Sequence, residues 1–109
     1  MSSPATNRRE LLRAHVQANP GDAFARYGLA MDLVNSGESE AALAEFAALA
    51  AANPDYVPGY QQWGQLLHKL ERFEEARAIL NKGIAAAHKT GNAHAASEMQ
   101  GLIDEMSLG

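Results

Sequence analysis

Residues 23–56 read AFARYGLAMDLVNSGESEAALAEFAALAAANPDY, and residues 57–90 read VPGYQQWGQLLHKLERFEEARAILNKGIAAAHKT. Laid over each other without a gap, the two stretches put Leu29 on Trp63, Ala30 on Gly64, Leu33 on Leu67, Ala42 on Ala76 and Phe46 on Leu80. Small residues fall on small and large apolar residues on large. The tripeptide Ala18, Asn19, Pro20 returns at the same interval as Ala52, Asn53, Pro54. A period this long marks a supersecondary unit that cannot bury its apolar face alone and must stack on a neighbour.

Within each unit the apolar residues recur at helical spacing, and nothing alternates as a strand would. Six helices are expected, at Ala5 to Ala18, Ala23 to Asn35, Glu40 to Ala52, Tyr56 to Leu70, Glu74 to His88 and Ala93 to Met106. Asp22 and Asn92 stand where a short polar side chain can accept from the free amides of the following turn, and Ser39 is expected to do so for the third helix. Gly37 supplies a left-handed residue after the second helix. Pro20 and Pro54 lack the amide a continuing helix needs, whereas Pro58 falls in a first turn, where the loss is harmless. In the first helix Leu11, Leu12 and Val16 are expected inward, with Arg8, Arg9, Glu10 and Arg13 outward. In the last, Ala95, Ala96, Met99, Leu102, Ile103 and Met106 form an apolar stripe opposite His94, Ser97, Glu98, Asp104 and Glu105, the pattern of a cap. Gly101, within that helix, is expected at a close-packing point.

The chain has 109 residues, of which 47% are hydrophobic and 20% charged, within the range of an ordinary globular domain. It contains no cysteine, which excludes disulfide scaffolds, thiolate zinc sites and thiol nucleophiles. The start, MSSPATNRRELL, has no apolar core of the kind a secretory signal needs, and the longest apolar run, Phe46 to Ala52, is far too short to cross a bilayer. A cytoplasmic location is therefore expected. Between Tyr27 and Tyr56 there are five acidic residues and no lysine or arginine, so nucleic acid is not an expected partner.

The 34-residue spacing and its residues resemble the tetratricopeptide repeat family. In the first copy the family pattern is met by Leu29, Ala30, Ala42, Phe46 and Pro54, with Leu33 replacing the usual Tyr and Arg26 the usual Trp. In the second it is met by Tyr60, Gly64, Leu67 and Ala76, with Trp63 in the Leu place and Leu80 in the aromatic place. His88 stands where Pro would end the second unit, so the fifth helix is expected to run on. Leu12 and Pro20 lie one period before Phe46 and Pro54, so the resemblance extends over residues 8 to 90.

The resemblance implies an all-α, right-handed solenoid of helical hairpins. It divides the chain into a disordered tail (1–7) and one domain (8–107): a half repeat (8–22), two repeats (23–56 and 57–90) and a capping helix (91–107). It also implies a non-catalytic scaffold that holds a peptide or protein segment in a groove lined by the first helix of each repeat. Those positions are Phe24, Tyr27, Met31, Val34 and Asn35 in one repeat, and Gln61, Gln65, His68 and Lys69 in the next. The carboxylate clamp that some family members use for chaperone tails is missing, since Tyr27, Met31, Gln61 and Gln65 occupy the places of its Lys and Asn. Membrane binding and cofactors are not expected.

An enzyme would need a converging set of reactive groups. No two of His15, His68, His88 and His94 share a helix at metal-ligand spacing, and adjacent Glu74 and Glu75 point in different directions, with Glu74 placed to support Arg77. The remaining alternative is a homodimer that buries an apolar groove or end surface.

Overall fold

The computed structural model describes residues 4–108. They form six helices: α1 (Pro4–Ala18), α2 (Ala23–Asn35), α3 (Ser39–Ala52), α4 (Val57–Lys69), α5 (Phe73–Lys89) and α6 (Ala93–Leu108). No strand occurs among the described residues, so the fold is an all-α helical repeat. Of the expected tail, residues 1–3 lie outside the described residues, and the helix bounds of α1 take in Pro4 to Asn7.

Local chemistry accounts for most helix ends. Asp22 Oδ1 accepts from the Ala25 amide at 3.0 Å, and Asn92 Oδ1 accepts from the Ala95 amide at 3.1 Å, as their positions before α2 and α6 predict. Pro58 lies in the first turn of α4. The expected Ser39 cap is not formed. Ser39 is already helical and Glu38 holds the cap position without a side-chain capping bond, because its carboxylate is drawn to Arg9 Nη1 and accepts from Ser36 Oγ at 2.8 Å.

The turns after α2 and α4 share one hydrogen-bond pattern. Gly37 N donates to Val34 O and Glu38 N to Leu33 O; Glu71 N donates to His68 O and Arg72 N to Leu67 O. Each turn needs a left-handed residue at its centre, supplied by Gly37 (φ 77°) in one and by Glu71 (φ 61°) in the other. α5 ends at Lys89, three residues beyond the place equivalent to the end of α3, as the absence of a proline at His88 predicts.

Two compact units divide the chain, Met1–Asn53 and Pro54–Gly109. In the first, α2 packs against α1 and α3, and Leu29, Leu33, Phe46 and Leu49 are almost wholly buried. Ala30 and Ala42 are fully buried, which is where the small residues of the period fall. Arg26 of α2 reaches Glu45 of α3 at 3.0 Å, so the position where the family pattern has Trp carries a half-buried ion pair. α1 is fixed at its start by Arg9, whose Nε donates to Asp32 at 2.8 Å, and at its end by His15 Nε2, 2.8 Å from Asp22 Oδ2. These two contacts make α1 and α2 antiparallel. They also correct two expectations: Arg9 is half-buried rather than outward, and Leu11 is 72% exposed rather than inward.

In the second unit α4 packs against α5, and α6 packs against α5 with a smaller contact on α4. Gly64 is a close approach of α4 to α5, where any β-carbon would overlap the Leu80 side chain. Gly83 of α5 is packed against both neighbours: a β-carbon there would fall 2.6 Å from Tyr60 Cβ of α4 and against Met99 Sδ of α6. On α6, Ala95, Ala96, Met99 and Met106 are buried, Leu102 and Ile103 half-buried, and the polar set from His94 to Glu105 exposed. Gly101 is not a packing point; its α-carbon faces open space.

Candidate functional site

Side chains three, four and seven residues apart share one face of a helix. On α2 this places Tyr27, Met31 and Val34 in one stripe, and all three are half-buried, with Asn35 exposed beside them. The adjoining side of α2, Leu29, Ala30 and Leu33, forms the core. The stripe is therefore apolar and accessible, the combination a partner's side chains can use. Phe24, at the start of the same helix, is 77% exposed and belongs to a different surface: it lines a pocket of about 500 Å³ with Leu11 and Leu12 of α1 and Ala25 and Gly28 of α2.

On α4 the corresponding stripe is polar. Gln61 and His68 are half-buried, Gln65 and Lys69 exposed, while Val57, Tyr60, Gly64 and Leu67 turn to the core. Gln61 and Gln65 border a pocket of about 300 Å³ whose far wall is α6, through Glu98, Leu102 and Glu105. α6 therefore flanks these amides and leaves a recess beside them. The His68 ring lies 5.5 Å from the Phe73 ring at 59°, which fixes its orientation at the end of the stripe.

Several titratable groups are engaged in structural pairs. Glu74 accepts from Arg77 at 2.8 Å and Glu75 pairs with Arg72, so the two neighbouring carboxylates diverge. The Arg72 bond holds the Glu75 carboxyl below the usual range, and the His15 contact followed by the Ala25 amide does the same for Asp22. The Tyr60 hydroxyl donates to Pro54 O at 2.8 Å, and burial raises its pKa. His15 lies against Asp22 and His94 against Glu98. Among the described residues, no three His, Asp or Glu side chains come together as a metal set. No described helix is long and apolar enough to cross a membrane.

The sequence reading did not single out the surface around Leu11, Arg8 and Phe24, or the carboxylates of α6 beside Gln61 and Gln65. The signal for the first lies in the adjacent leucines of α1: neighbours on a helix are about 100° apart, so only one of the pair can face the core squarely.

Comparison with known proteins agrees with the repeat. The family model for the tetratricopeptide repeat matches residues 33–99. Among solved structures, the chain is similar to a tetratricopeptide repeat domain protein from Salinibacter ruber, at 33% identity over 80% of this chain and 88% of that one, with a TM-score of 0.75. The fold also matches the TPR2B domain of yeast Sti1 in its complex with pHsp70, at 17% identity over 95% and 83% of the two chains and a TM-score of 0.84. It matches PcrH in complex with the chaperone-binding region of PopD, at 14% identity over 95% and 79% and a TM-score of 0.85. No curated protein sequence matches the chain significantly.

Proposed function

Because the chain belongs to the tetratricopeptide repeat family, we propose that it is a protein-interaction module that holds a peptide or protein segment and performs no chemistry on it. The observation that carries this reading is the accessible stripe on the first helix of each hairpin, apolar on α2 through Tyr27, Met31 and Val34, polar on α4 through Gln61, Gln65, His68 and Lys69. The α2 set would anchor apolar side chains of a partner, where desolvation contributes most of the affinity, and the α4 set would hydrogen-bond a partner's polar groups. Two structural neighbours of the same fold were solved in complex with pHsp70 and with the chaperone-binding region of PopD, which supports recognition as the use of this fold.

Selection of peptides from a random displayed library, followed by calorimetry of the selected sequences, tests the reading. Tyr27→Ser with Met31→Ser should weaken binding at least tenfold, since losing each buried anchor costs more than about 1 kcal/mol. Gln61→Ala with Gln65→Ala should weaken it less. Retention of full affinity by both double variants, with thermal unfolding unchanged, would sink the proposal.

A further inference from the structure

Two of the three large apolar side chains that are most exposed, Leu11 (72%) and Phe24 (77%), meet at the α1–α2 pocket; the third, Phe73 (39%), is half as exposed and lies on α5. Within the first unit only α1, α2 and the turn between them line this pocket, whereas in the second the recess beside α4 and α5 is walled by α6. A contiguous apolar surface with exposed aromatic and aliphatic side chains is costly to leave in water.

The charges at its edge say what fits there. Because α1 and α2 run antiparallel, the pocket has distinct ends. Arg8 stands at one, ion-paired to Asp32 at 3.5 Å but with its side chain 65% exposed, so that its outward donors remain open to a second carboxylate. Asp22 stands at the other, its side chain 39% exposed and held ionised by the His15 contact and the Ala25 amide. A surface that is basic at one end, apolar in the middle and acidic at the other complements itself when turned about a two-fold axis through its centre.

We propose that the α1–α2 face is an isologous interface between two copies of this chain, in which Leu11 and Phe24 of each enter the other's pocket and Arg8 of each meets Asp22 of the partner subunit. α6 of a second copy is a poorer occupant: the side of α6 that faces solvent carries Ser97, Gly101 and Asp104, which offer the pocket no apolar group. The interface is separate from the stripe of Tyr27 and Met31, so its failure and the failure of peptide binding are told apart by the variants below.

Sedimentation velocity of the full chain from micromolar to millimolar protein provides the test. The mass should rise from 11.7 kDa toward twice that value. Leu11→Asp and Phe24→Asp, at positions too exposed to disturb the core, should each remain monomeric with unchanged helical circular dichroism and unchanged peptide affinity. Arg8→Glu should weaken self-association about tenfold, and Asp22→Asn, which keeps a side-chain oxygen for the Ala25 amide while removing the charge, should also weaken it. A monomer at millimolar concentration overturns the proposal. So does a dimer that survives both aspartate variants, or a monomer whose α1–α2 amide resonances shift only when an unrelated amphipathic peptide is added.

Discussion

Arg26 and Glu45 hold α2 to α3 in the first hairpin with an ion pair, and one period later the same two positions are Tyr60 and Ile79, both buried. The same architecture therefore tolerates either a charged pair or an apolar one at this place. What it requires is that both members match. Desolvating one charge without its partner is expensive, while exchanging a buried pair for well-packed apolar groups is often neutral or better.

That comparison can be broken by removing one member. Glu45→Ala leaves the Arg26 guanidinium half-buried without its carboxylate and should cost about 3 kcal/mol, the lower end for such pairs because both side chains keep some exposure. The double exchange Arg26→Tyr with Glu45→Ile should recover most of the loss or exceed it. Urea unfolding of the single and double variants measures both.

A smaller effect separates Ala30 from Gly64. The first hairpin accommodates a β-carbon at this position, and Ala30 is fully buried there. The second does not, because Leu80 occupies the space. Gly64→Ala should cost about 1–3 kcal/mol by overpacking, despite the better helix propensity of alanine. Ala30→Gly should cost about 1–2 kcal/mol, the propensity difference plus the loss of one buried methyl. A Gly64→Ala variant as stable as the parent would show that Leu80 yields its space freely.

The turns differ more subtly. Glu71 adopts the left-handed conformation that Gly37 adopts without a side chain to strain. Glu71→Gly should therefore stabilise by up to about 1 kcal/mol, and Gly37→Ala should destabilise by about the same, read as opposite shifts of the melting temperature.

Acid should act on both hairpins alike. The Asp22, Glu38 and Glu75 carboxyls are held below their ordinary range, Glu38 by the Ser36 hydroxyl first and Arg9 next. Each therefore favours the folded state above about pH 4, its unfolded range, and loses that contribution as the pH falls through its depressed folded value. Melting temperatures should be flat from neutral pH down to about pH 5 and decline below about pH 4.

Much of this was legible in the residues. Helical spacing, Asp22, Asn92 and the prolines located six helices, with most ends within a residue, because these signals are local. The Glu38 cap was not, since it depends on Arg9, far away in the chain. Leu11 and Gly101 were misplaced for a related reason. An amphipathic pattern identifies a face, but which neighbours cover it is decided by tertiary packing. The candidate positions on α2 and α4 came from the resemblance to the repeat family, whereas the pocket around Phe24 needed the antiparallel placement of α1.

The central claim is that the first helix of each hairpin is the recognition surface. It is tested most directly by adding a library-selected peptide to isotopically labelled protein and following every backbone amide by nuclear magnetic resonance. Shifts concentrated at Tyr27, Met31 and Val34 on α2 and at Gln61, Gln65 and His68 on α4 are the predicted result. Shifts confined to α3 and α5, with those residues unmoved at saturation, would contradict it.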